Sequence, residues 1–217
     1  MKLGLYNAIF HDRSLPEALT AIKDAGLTGI ELNTGGFLPA KHVPTIDDIL
    51  VSDDARDEFL RQFEGTGVDI YGLNCNGNPL HPNREIGEKH AEDIRRSIRL
   101  AERLGQTRVV TMSGLPGGEP GAQRPNWIVN AWNSAALDVL DYQWDIAADF
   151  WRETDRLAAD HGVKVALELH PQNLIFNSAD VHKLIELTKA TNVGVELDAS
   201  HLFWQQMDPV AGIDHLG

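Results

Sequence analysis

Two acids and two histidines in the last fifty residues stand out by type and spacing. Glu168 and His170 lie one residue apart in Val165-Ala166-Leu167-Glu168-Leu169-His170-Pro171. Asp198 and His201 lie three apart in Leu197-Asp198-Ala199-Ser200-His201-Leu202. Each run reads as the end of a strand. Two carboxylates converging at neighbouring strand ends repel each other unless one is protonated or a cation joins them. The polar strand ends offer no Lys or Arg for a salt bridge. Oxygen ligands suit Mg²⁺ or Mn²⁺, and imidazole widens the choice to Co²⁺ or Zn²⁺. Glu168 and Asp198 are therefore the expected ligands of one divalent ion. Glu196, one layer deeper on the same face, reads as structural or outer-lying. His11, His42, His81, His90 and His182 read as ordinary, with His81 alone on a rim loop. There is no G-x-S-x-G elbow, P-loop or paired-cysteine motif. The single cysteine, Cys75, reads as a packing thiol.

These residues need elements to hold them. A helix-ending Gly or Asn precedes a short β-rich run at Gly26, Gly65–Gly67, Gly105, Gly162 and Asn192. Ser14-Leu15-Pro16-Glu17 is a capping box with an early proline. Leu15, Ala18, Leu19, Ile22 and Ala25 form an apolar stripe behind it, and Ala91, Ile94, Ile98 and Ala101 form another. Arg95, Arg96, Arg99 and Arg103 read as that second helix's solvated face. Ser178 is expected to cap a fifth helix, and Asp208-Pro209 to open a sixth.

The expected strands are Leu3–Phe10, Gly29–Asn33, Asp69–Cys75, Arg108–Ser113, Val165–His170 and Val193–Asp198. Alternating strands and helices imply a parallel sheet. Strand parity then separates two architectures. One face of each strand is apolar: Ile30 and Leu32, Leu73 and Cys75, Val110 and Met112, Val165 and Leu167, Val195 and Leu197. The other turns polar towards the C-terminal end: Glu31 and Asn33, Asn74, Thr111 and Ser113, Glu168 and His170, Glu196 and Asp198. A doubly wound sheet covered on both faces would be apolar on both. A TIM (β/α)8 barrel with its site at the C-terminal mouth gives the observed pattern. Residues 1–217 are thus expected to form a single barrel domain, with two more units beyond Gly217. Asn74 and Ser113 are expected to face the substrate. So are Trp127 and Trp132, on the long Gly- and Pro-rich loop Gly114–Leu137, which reads as a lid. The loops Thr34–Asp54 and Asn76–Glu88 leave the same rim.

The 217 residues carry 19 Lys and Arg against 32 Asp and Glu, a formal charge of −13. That acidity opposes nucleic acid or an anionic membrane as partner. One cysteine, no signal-like N-terminus and no long apolar run point to a cytoplasmic protein without a membrane span. A homo-oligomer is compatible with all of this.

The quoted motifs resemble the sugar phosphate isomerase/epimerase family, the xylose isomerase-like TIM barrels. Asn74-Cys75-Asn76-Gly77-Asn78-Pro79-Leu80-His81-Pro82 and Met112-Ser113-Gly114-Leu115-Pro116-Gly117-Gly118 are similar to one of its branches. The resemblance implies a metal held by Glu168 and Asp198, with a further His and Glu expected beyond Gly217. It implies that His201 contacts a substrate oxygen and that His170 acts as acid or base, so Glu168, His170 and His201 are the expected catalytic groups. The implied reaction is isomerisation or epimerisation of a small sugar or sugar phosphate through an enediolate. A lyase or dehydratase acting on an oxidised sugar or cyclitol would use the same enolate. An apurinic-site endonuclease shares the barrel but needs histidines where this chain has Asn74 and Ser113. A non-catalytic barrel subunit would have no reason to keep Glu168, Asp198 and His201.

Overall fold

The computed structural model describes residues 2–217. Six parallel strands form one sheet: β1 (Gly4–Tyr6), β2 (Gly29–Asn33), β3 (Asp69–Asn74), β4 (Arg108–Met112), β5 (Lys164–Glu168) and β6 (Val193–Glu196). Their order in the sheet is their order in the chain, without reversal. Right-handed crossovers that always step the same way put every helix on one face. The other face curls inward, as in a (β/α)8 barrel followed through about six units.

The helices are α1 (Leu15–Asp24), α2 (Ile46–Val51), α3 (Asp53–Arg61), α4 (Arg84–Arg103), α5 (Ser134–Asp160), α6 (Ser178–Thr188), α7 (Ser200–Phe203) and α8 (Pro209–Leu216). At the start of α1 the Ser14 N–H donates to Glu17 Oε2 at 2.8 Å, and Leu15, Ala18, Leu19 and Ile22 are buried. Ala91, Ile94, Ile98 and Ala101 are buried along α4, while its arginines pair with surface acids. Asn177, not Ser178, caps α6: its Oδ1 accepts the Asp180 N–H at 3.1 Å, while the Ser178 hydroxyl meets His215. The left-handed residue that ends α6 is Lys189 (φ 57°), ahead of the expected Asn192. Among the described residues no helix is long and apolar enough to cross a membrane.

The strands stop earlier than their sequence suggests. β1 ends at Tyr6 and a 3₁₀ turn, Asn7–Phe10, follows. The buried Asn7 side chain turns the chain there, accepting the Asn33 N–H at 2.8 Å and meeting His42 at 2.7 Å. β5 and β6 both end at a glutamate, so His170 and Asp198 lie just past the ladder.

Register corrects one face. Met112 pairs with Glu168 and Val110 with Ala166, so Val110 and Met112 face the barrel interior. Thr111 and Ser113 face the helices instead, both fully buried. The Thr111 hydroxyl donates to the Cys75 carbonyl at 2.8 Å, and the Ser113 hydroxyl accepts the Ile175 N–H at 3.1 Å. Their polarity is consumed by backbone, which is why polar residues sit on an otherwise apolar face. That face packs Ile30, Leu32, Leu73, Val109, Val165 and Leu167 into one cluster with Ile94, Ile98 and Trp151. Each such aliphatic side chain contributes roughly 1.5–3 kcal/mol on burial. Cys75 is fully buried in the same cluster.

A bulge between β2 and β3 leaves Tyr71 as the extra residue. Its ring crosses Gly4 and Gly29, and a Cβ on Gly29 would lie 1.9 Å from it. The N-terminal end of these strands is thus filled by an aromatic ring, and the C-terminal end carries the polar groups.

Candidate active site

Glu168 is the last residue of β5, beside Met112 on β4 and Glu196 on β6. Immediately after it the chain turns, with the His170 N–H donating to the Glu168 carbonyl at 2.8 Å. Asn173 fixes this turn. Its Nδ2 donates to the carbonyls of His170 and Pro171, and its Oδ1 accepts the Gly114 N–H. His170 Nδ1 lies 2.7 Å from the Pro171 carbonyl. A carbonyl only accepts, so the proton sits on Nδ1 and the Nε2 lone pair is left available.

His201 enters from α7. Its Nε2 is 3.1 Å from Glu168 Oε1 and 3.6 Å from Asp198 Oδ2, and its ring meets that of His170 at 4.4 Å between centroids. Gln205 ties α7 down by donating to the His201 and Phe176 carbonyls. Glu168, His170 and His201 each offer a ligand atom within 4.8 Å of the others. This compact triad includes both expected histidines. Asp198 is not part of that group, and its Oδ2 lies 3.6 Å from His201 Nε2.

Asn76 holds the other side of the glutamate, its Nδ2 donating to Glu168 Oε2 at 2.5 Å. Asn76 is itself positioned: its N–H donates to Asn74 Oδ1 at 3.0 Å, and its carbonyl accepts the Phe37 N–H at 2.7 Å. That approach requires Gly36, whose φ is 82° and whose Cβ would fall 2.1 Å from the Asn76 carbonyl oxygen. Asp93 on α4 accepts the Gly36 N–H at 2.9 Å and completes the brace. Asn76 Oδ1 is buried with no partner among the described residues.

Four acids share the mouth: Glu31, Glu168, Glu196 and Asp198. Among the described residues none forms an ion pair with Lys or Arg. Burial first, then the charges of Glu168, Glu31 and Asp198, push Glu196 up to about 7. Burial also raises Glu31, against the hydrogen bond from Asn74 Nδ2 at 2.8 Å. Burial and the Glu31 charge raise the Tyr6 phenol. Burial would raise Asp198 too, but hydrogen bonds from Ser200 and the nearby His201 and His170 hold it below its ordinary value. The set of carboxylate oxygens and imidazole nitrogens, with an orphaned amide oxygen beside Glu168, fits a divalent cation.

The other expected substrate residues divide. Trp127 lines a cleft of about 750 Å³ beside His170, with Phe37, His81 and Met112. Its ring packs against Phe176 and Trp204. Trp132 does not wall the cleft: it is 88% exposed, in a stretch beyond the part of the loop that Gln143 anchors. Ser113 does not face substrate either, because its hydroxyl is buried against the Ile175 backbone. Asn74 is buried and acts as a brace between Glu31 and Asn76. Asn76, Glu31 and Met112 are the residues that sequence reasoning missed. Parity places Glu31 and, with the correct register, Met112 on the interior face. Asn76 lies in a loop and carries no periodic signal.

A profile of the xylose isomerase-like TIM barrel family matches residues 19–216. The uncharacterized protein YfiH of Bacillus subtilis (strain 168) is 37% identical over 221 residues, covering all of this chain and 70% of YfiH. Among solved structures, the 3-keto-D-glucoside 4-epimerase YcjR from E. coli superposes with a TM-score of 0.72 at 17% identity, covering 100% of this chain and 75% of that one. The probable 3-DHS dehydratase AsbF from Bacillus anthracis gives 0.70 at 19% identity, covering 100% and 69%. Other enzymes of this fold include sugar epimerases, and some structures of it carry bound zinc or magnesium.

Proposed function

Because the chain belongs to the xylose isomerase-like TIM barrel family, we propose that it is a divalent-metal-dependent isomerase or epimerase of a sugar or sugar phosphate. It works by removing a proton from the carbon next to a carbonyl. One observation carries this reading: Glu168, His170 and His201 meet within 4.8 Å in a mouth whose acids have no Lys or Arg partner among the described residues.

Glu168 and Asp198 would hold the ion, with the free Nε2 of His170 beside them. Bound there, a divalent ion supplies Lewis-acid polarisation of the substrate's carbonyl and hydroxyl oxygens. The chain's own groups do the rest. Glu168 takes the proton, with Asn76 Nδ2 fixing its carboxylate and so the direction of attack. His201 Nε2–H, which faces Glu168 and Asp198, donates to a substrate oxygen. His170 Nε2 holds or returns a proton at the neighbouring oxygen. Trp127 and Met112 exclude water along the cleft. Return of the proton to the adjacent carbon gives isomerisation, and return from the opposite face gives epimerisation. The likeness to AsbF favours a second reading: loss of a leaving group from the next carbon, as in a dehydratase.

Incubation with ketoses, ketose phosphates and oxo-glycosides in D₂O with Mn²⁺ tests the first reading. Deuterium should enter at the carbon beside the carbonyl, and Glu168→Gln or EDTA should stop it. Exchange that survives Glu168→Gln would remove Glu168 as base. An α,β-unsaturated product would move the assignment to the dehydratase.

A further inference from the structure

The cleft beside the triad has the opposite electrostatics to the mouth it opens from. The chain carries −13 overall, yet among the described residues no Asp or Glu lines this cleft. One arginine does, the exposed Arg124, together with His81 and His170. Among the described residues Arg124 makes no ion pair, whereas the arginines of α4 all pair with carboxylates. His81 adds a donor. Its Nδ1 accepts the Asn83 N–H at 3.0 Å, so its proton sits on Nε2.

The segment that carries Arg124 is anchored. The fully buried Gln143 of α5 donates from Nε2 to the carbonyls of Asn126 at 2.7 Å, Gly117 at 3.2 Å and Pro116 at 3.3 Å. The Asn126 N–H closes the loop on the Pro116 carbonyl at 3.0 Å. A side chain buried to gather three carbonyls holds the residues between them in place. Arg124 is one of those residues.

We propose that Arg124 and His81 form a subsite for an anionic group on the substrate, a phosphate ester or a carboxylate, at the end remote from the carbons that react at the triad. The inference rests on the reading that Glu168, His170 and His201 are the reacting centre. An unpaired guanidinium offers parallel N–H donors that match either anion, and a pocket free of acids does not oppose it. The apolar wall of Phe37, Met112 and Trp127 accommodates the carbon chain between the two ends.

Equilibrium binding tests this without requiring turnover. Calorimetric titrations would compare D-ribulose with D-ribulose 5-phosphate and D-glucose with D-glucuronate, in wild type, Arg124→Met and Arg124→Lys. The charged member of at least one pair should bind about tenfold tighter or more in wild type. Which pair discriminates identifies phosphate or carboxylate as the source. Arg124→Met should bring that ratio towards one, Arg124→Lys should keep part of it, and added salt should shrink it. No preference for either charged member in wild type would overturn the proposal, as would a preference that survives Arg124→Met. Failure of the reacting-centre reading shows separately, as deuterium exchange that ignores Glu168→Gln.

Discussion

The acids on the outside of α3 and α4 and the acids in the barrel mouth meet opposite surroundings. Outside, Asp53 is held by Arg56 at 2.9 Å and by Arg103 at 2.8 Å. Glu92 is held by Arg95 and Arg99. Inside, Glu31 and Glu168 accept from the Asn74 and Asn76 side-chain amides, Asp198 accepts the Ser200 N–H, and His201 lies beside Glu168 and Asp198, while among the described residues none of these acids or Glu196 pairs with Lys or Arg. Exposed ion pairs contribute about 0–1 kcal/mol each, so the outer network is a solvated face and little more. The inner group concentrates negative charge where burial makes it costly. A chain that places arginine so freely outside and withholds it inside leaves the mouth able to take a cation or a proton.

The largest test of that contrast is Glu168→Gln, which keeps the shape and removes the charge. Steady-state turnover should fall by about 10²–10⁴-fold, the range of a lost general base. Gly36→Ala comes next. It puts a Cβ against the Asn76 carbonyl at a positive φ, so urea denaturation should show a loss of about 2–4 kcal/mol. Glu168 should lose its orientation at the same time, because Asn76 can no longer sit where it does.

Asp180, a half-buried acid on the first turn of α6, separates burial from metal binding. Burial raises its pKa to about 6, against a hydrogen bond from Phe176 and the charge of Lys183. An acid raised in the folded state contributes stability below its unfolded value near 3.8 and loses it as pH climbs through about 6. Asp180→Asn should therefore match wild type at about pH 4 and melt higher than wild type at about pH 8, with the same difference whether or not divalent ion is present. The smallest effect belongs to the outer face, where Arg99→Met should change stability by about 0.5 kcal/mol or less.

Much of the architecture is legible in sequence because local rules and the fold agree. Gly26, Gly105 and Gly162 take positive φ at the helix ends their spacing implies. The capping box at Ser14 and the apolar stripe of α4 stand as read. Glu168, His170 and His201 converge because parity and two short loops place them there. Ser113 and Met112 were misassigned because polarity is a weak guide to direction when a buried carbonyl or backbone N–H satisfies the hydroxyl. Only the ladder register, Met112 opposite Glu168, decides it. Asp198 follows the end of β6 by two residues, where strand parity no longer applies, and its Oδ1 accepts the Ser200 N–H. Asn76 was illegible because its role depends on Gly36 and Asp93, neighbours that are remote in sequence. The exposure of Trp132 follows from where the anchor at Gln143 stops, which no local pattern reveals.

The mouth's capacity for a cation is most directly measured by calorimetric titration of metal-free protein with Mn²⁺, for wild type and Glu168→Gln. One ion should bind per wild-type chain, and Glu168→Gln should weaken that binding by about a hundredfold or more. A wild-type chain that takes no ion, or a Glu168→Gln chain that binds as tightly as wild type, would contradict the account.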